Sequence, residues 1–131
     1  YWLGRIHYEN GNLEASYDSW QNVLRIDPDY QRAAYFLKKT EGALSYGKQA
    51  YEHYERGYNY YEQGAYQQAL AAYQQAIQYN RRFTNAYYWL GRIHYEMGNY
   101  RQAADQWQQV LQMEPGNDKA AYWLKQAEKQ F

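Results

Sequence analysis

The sequence has no cysteine, two prolines, no excess of either charge and few aliphatic residues. Without cysteine there is no disulfide scaffold, thiolate zinc site, iron–sulfur cluster or cysteine nucleophile. Fourteen basic residues balance fourteen acidic ones, so the broad basic field of a duplex nucleic-acid binder is missing. No apolar run approaches the roughly 18 residues that a membrane-spanning helix needs. Leu, Ile, Val and Phe together number 18 of 131 residues. Such a shortage points to disorder when it accompanies high net charge, and here the charge is zero. The apolar mass is aromatic instead: 19 Tyr and 5 Trp, whose rings each bury roughly 150–250 Å². The expectation is therefore an ordered chain forming a single domain over residues 1–131.

Internal repetition dominates the pattern. Tyr1-Trp2-Leu3-Gly4-Arg5-Ile6-His7-Tyr8-Glu9 recurs unchanged at Tyr88 through Glu96, and residues 1–44 match 88–131 at 23 of 44 positions. A shorter period lies inside this one. Gly57, Tyr60, Gly64, Tyr66, Ala69, Tyr73 and Ala76 return about 34 residues later as Gly91, His94, Gly98, Tyr100, Ala103, Trp107 and Val110. Glycines between helical runs suit tight turns, small alanines suit close helix pairs, and Pro28 and Pro115 stand where helices stop.

These residues resemble the tetratricopeptide repeat family, whose 34-residue pattern runs W-x2-L-G-x2-Y, then A-x3-F, then P. Leu90-Gly91, His94, Ala103, Trp107 and Pro115 fit it, as do Leu3-Gly4, His7, Ser16, Trp20 and Pro28. Residues 50–83 fit with Arg81 in the proline place. The resemblance implies an all-α fold, a right-handed α-solenoid of antiparallel helix pairs with about eight helices. The repeat-like units are 1–30, 50–83 and 84–117, with a capping helix at 118–131. Residues 31–49 form an extra helix and turn that merge into the 50–83 unit. The chain, which opens without Met, is expected to be a fragment of a longer repeat protein.

Periodicity and breakers place helices at about 1–10, 13–26, 31–44, 48–63, 65–79, 84–97, 100–113 and 118–131. The 87-residue offset exceeds two 34-residue repeats by 19 residues, namely 31–49. There the alternatives are a turn at Ser45-Tyr46-Gly47 or one long helix through 31–63. Each interior Gly costs a helix about 1 kcal/mol relative to Ala, which favours the turn.

In the family that the sequence resembles, the first helix of each pair lines a concave face. Asn85, Tyr88, Arg92 and Tyr95 share one stripe of such a helix. Tyr54, Tyr58 and Tyr61 occupy the corresponding stripe on the preceding repeat, Lys119 and Tyr122 on the next, and Tyr1, Arg5 and Tyr8 on the first. These candidates describe a groove of Tyr rings and cationic groups suited to a peptide or partner helix. Some members of the family hold acidic chaperone C-termini with a Lys and Asn clamp on this stripe. Tyr88 and Arg92, or Tyr54 and Tyr58, stand in those places here, so the resemblance does not extend to that ligand.

Catalysis has no foothold. His7 and His94 take the family's aromatic place, and His7 and Glu9, two apart on a helix, point about 200° away from each other. Five Ser and Thr residues stand without a nucleophile elbow, and no Gly-rich phosphate loop exists. The expected function is a non-enzymatic protein-interaction scaffold with no cofactor and no metal. The alternatives are a self-assembling structural repeat, and a glycan-binding module that stacks sugars on Tyr and Trp.

Overall fold

A computed structural model describes all of residues 1–131. Its elements are α1 (Trp2–Glu9), α2 (Leu13–Ile26), α3 (Gln31–Tyr46), α4 (Lys48–Glu62), α5 (Tyr66–Tyr79), α6 (Thr84–Glu96), α7 (Tyr100–Met113) and α8 (Asp118–Glu128). The fold class is all-α, as the repeats implied. Two boundaries differ from expectation by more than one residue. α8 ends at Glu128 instead of 131, and α3 runs through Ser45 and Tyr46, so the break before α4 shrinks to Gly47 alone. At φ 94° that residue occupies backbone space open mainly to glycine, which separates 31–63 into two helices.

The chain forms two compact units, Tyr1–Tyr51 and Glu52–Phe131, with α4 beginning in the first and continuing in the second. In the first unit, α1 packs on α2 through Gly4, where an added Cβ would meet the Trp20 ring at 2.8 Å. Ser16 donates from Oγ to the Gly4 carbonyl at 2.8 Å and lies 3.4 Å from Thr40 Oγ1. The Trp20 ring stacks on Phe36 of α3 at 5.0 Å.

The second unit repeats this construction. Gly57 of α4 accepts the ring of Tyr73 from α5, and Gly91 of α6 accepts that of Trp107 from α7. Ala69, Ala76, Ala103, Ala120 and Ala127 are fully buried, as are Tyr73, Phe83, Ile93, Trp107 and Val110. Small residues thus bring the helices close while large rings fill the volume that scarce aliphatics leave. The α6–α7 turn closes on Gly98 at φ 80°. Where Arg81 replaces the expected proline, Asn80 Oδ1 accepts from the Arg82 amide at 3.0 Å and holds the turn instead.

Candidate functional site

The second unit brings seven of the nine predicted site residues together through two tryptophans. Trp89 of α6 is the first hub. Its indole N–H donates to Tyr54 Oη at 3.1 Å, and its ring meets Tyr58 at 5.4 Å and Tyr61 at 5.3 Å. Tyr54, Tyr58 and Tyr61 reach it because their spacing of four and three sets them on one face of α4. Tyr54 also stacks on Phe83 at 4.8 Å. Trp123 of α8 is the second hub, with Tyr95 edge-on at 5.5 Å and Tyr122 edge-on at 5.3 Å.

Arg92 lies against both hubs. Its guanidinium carbon is 4.3 Å from the Trp123 ring centroid and 5.8 Å from that of Trp89. Nη1 donates to Tyr88 Oη at 3.4 Å, Nη2 stands 4.0 Å from Glu96 Oε1, and Tyr61 adds a hydrogen bond. Nε is buried without a hydrogen-bond partner. The planar cation is thus positioned by ring faces more than by acceptors, an arrangement that guanidinium tolerates better than ammonium. Asn85 and Lys119 are exposed and stand outside this cluster.

The electrostatics follow from the contacts. Burial pushes the Tyr61 hydroxyl above the ordinary phenol range, although the neighbouring Arg92 pulls it back. Tyr58 is also raised, chiefly by its hydrogen bond to Glu62 and then by that carboxylate's charge. Burial lowers His94, whose Nδ1 is enclosed without a partner. His94 is therefore a neutral packing ring. No group of three or more His, Asp or Glu is placed to hold a metal ion, and no helix is long and apolar enough to cross a membrane.

The first unit carries the same arrangement. Arg5 lies 5.5 Å from the Trp2 ring and 5.4 Å from Phe36. In each unit the arginine follows one ring by three residues and precedes the other by 31. Tyr35 stands edge-on to Phe36 at 5.1 Å, as Tyr122 does to Trp123. Tyr8, assigned by its stripe to the open face, is instead buried, with the Lys39 and Lys48 ammonium groups 5.2 and 5.0 Å from its ring.

Trp89 and Trp123 were absent from the predicted site because stripe reasoning assigned α6 and α8 through other residues. A signal existed in Tyr-Trp-Leu, which occurs at 1–3, 88–90 and 122–124.

Helix pairs joined by glycine turns, with small residues facing large rings at a 34-residue period, define the class of helical repeat proteins. A TPR repeat model matches residues 57–98 and a tetratricopeptide repeat model matches residues 84–117. Comparison with curated proteins finds no match. Among solved structures, MamA is similar at 22% identity and TM-score 0.63, over 98% of this chain and 78% of that one. The Arabidopsis OM64 TPR domain is similar at 19% identity and TM-score 0.61, over 98% and 91%. The first TPR of Spaghetti (RPAP3), bound to the HSP90 peptide SRMEEVD, is similar at 18% and TM-score 0.57, over 96% and 85%. Residues 57–117 thus match tetratricopeptide repeats, and the chain as a whole shares the fold of tetratricopeptide repeat structures.

Proposed function

We propose that the chain is a non-catalytic interaction module that takes a peptide or partner helix on the aromatic face of its second unit, with Arg92 as the charged anchor. Tetratricopeptide repeats generally mediate protein–protein interaction. The observation that carries the reading is the Arg92 guanidinium, held against Trp123 and Trp89 yet 22% exposed. A fold alone does not require a cation there. The side chain is 22% exposed, so a carboxylate or backbone carbonyl from a partner segment can pair with its Nη N–H groups, not with the enclosed Nε.

In this reading the site residues divide their work. Tyr54 and Tyr95 brace the tryptophans from within, and Tyr88 and Tyr61 orient the guanidinium. Tyr58 and Tyr122, which are 41% and 57% exposed, offer ring surface to the partner alongside Asn85 and Lys119. The HSP90 peptide seen on Spaghetti (RPAP3) is acidic, but the Lys and Asn clamp is not assembled on this face. Recognition here rests on rings plus one planar cation.

The test captures partners on the full chain and titrates each against Arg92→Ala, Arg92→Lys and Tyr88→Ala, with helicity checked by circular dichroism. Arg92→Ala is expected to weaken binding about tenfold or more, as loss of a charged hydrogen bond does. Arg92→Lys recovers only part of it, because an ammonium lacks the planar fork. Undiminished binding by folded Arg92→Ala and Tyr88→Ala proteins rules this face out.

A further inference from the structure

Arg92 shares its face with two carboxylates. Glu62 ends α4 and Glu96 ends α6, at equivalent places of the 34-residue period. Both are exposed, and both helices are interior to the chain, with elements before and after each. Glu96 Oε1 stands 4.0 Å from Arg92 Nη2, and Glu62 accepts the hydrogen bond of the Tyr58 hydroxyl. The Tyr61 hydroxyl beside them feels the charges of Arg92 and Glu96 together. One cation and two carboxylates therefore border the same pair of rings, and no lysine or arginine of the chain pairs with Glu62. A helix C-terminus already carries partial negative charge, so a carboxylate in the last turn stands against the helix dipole. Arginine four residues before glutamate is also the weaker orientation of such a pair on a helix. Helix stability alone does not select either carboxylate.

We infer that the partner segment on the Arg92 face carries a lysine or arginine that seats on the Tyr58 ring within reach of Glu62 and Glu96, beside the acidic group that pairs with Arg92. The inference rests on the reading of the Arg92 face given above and fixes the partner's charge order. Tyr58 is 41% exposed, so its ring face is open to a cation, and Glu62 waits at its hydroxyl end. The C-terminal ends of α4 and α6 add their own attraction for positive charge. Arg92 and Glu96 are four residues apart on α6, roughly 6 Å along the helix. The partner's acidic and basic residues therefore stand four apart on a helix, or two apart in an extended segment. Its basic residue lies toward the C-terminal ends of α4 and α6. An all-acidic segment, which Arg92 alone would accept, is repelled by the two carboxylates.

The test pans a phage-displayed library of random peptides on the full chain. The selected peptides are synthesised and titrated against the wild type, Arg92→Ala, and the double variant Glu62→Gln with Glu96→Gln. Peptides that need Arg92 are expected to carry Lys or Arg two or four residues from Asp or Glu. The double variant is expected to bind them at least about fivefold more weakly, with a larger loss at low salt than at high salt. Glutamine in place of the peptide's basic residue weakens wild-type binding by a similar factor and has little further effect on the double variant. Glutamine at 62 still accepts the Tyr58 hydroxyl, and neither substitution opposes the helix dipole, so the double variant is expected to melt no lower than the wild type. Weaker binding by an intact fold is what a merely structural role would not give. Peptides that need Arg92 but bind the double variant undiminished overturn this inference and leave the Arg92 reading standing. Peptides indifferent to Arg92→Ala, or no selected peptides at all, overturn both.

Discussion

Gly91 lacks a side chain where the Trp107 ring needs the space: an added Cβ would lie 2.5 Å from Nε1 and 2.6 Å from Cε2. The ring is fully buried, donates its N–H to the Tyr88 carbonyl at 3.2 Å and packs on Trp123 at 6.0 Å. It has no room to give way. Gly91→Ala is therefore expected to destabilise the protein by about 1–3 kcal/mol, the usual cost of overpacking a core, despite alanine's better helix propensity. Urea unfolding measures this, and a wild-type midpoint would show that the close approach carries no weight. The same residue bears on the proposed site, because a displaced Trp107 pushes Trp123 and so disturbs the surface against which Arg92 lies.

At the level of elements, the short period was readable because it is local. A glycine facing a ring about 16 residues later, and a glycine at each turn, follow from helix geometry and from backbone space. The break between α3 and α4 shows the limit of such reading. Ser45-Tyr46-Gly47 looked like a turn, but Ser45 and Tyr46 remain helical, and Gly47 alone reverses the chain. The second glycine of the segment has a different purpose. Gly42 admits the Tyr51 ring, whose Cε2 would lie 2.3 Å from an added Cβ, a contact that a straight helix through 31–62 would pull apart. Gly47→Ala strains the left-handed backbone and removes the penalty that opposes a continuous helix. It is expected to shift amide resonances at 46–48 toward helical values and to release Tyr51 from Gly42. Retention of the Gly42–Tyr51 nuclear Overhauser contacts would count against this account.

Across the whole molecule, the duplication was plain in the sequence, and the family and all-α class followed from it. The candidate site was only partly legible. Arg92 and its flanking tyrosines fall on one stripe, which periodicity finds. Trp123 lies 31 residues further on and Tyr54 lies 38 residues earlier, so their meeting with that stripe depends on how successive helix pairs stack. Tyr8 was misplaced for the same reason: a stripe gives direction but not which neighbours cover it.

The two copies of Tyr-Trp-Leu-Gly-Arg-Ile-His-Tyr-Glu also form a matched pair of clocks. The chemical rate of amide hydrogen exchange depends on neighbouring side chains, and within the nonapeptide these are the same in both. Any difference in exchange between residues 5–9 and 92–96 thus reads out structural protection, without correction for sequence. With Leu3 and Ile6 exposed and Leu90 and Ile93 buried, the amides of 92–96 are expected to exchange at least about tenfold more slowly than those of 5–9. That corresponds to roughly 1.4 kcal/mol of added opening cost. Equal rates would mean that both helices open with the same ease and that covering Trp89 confers no local stability.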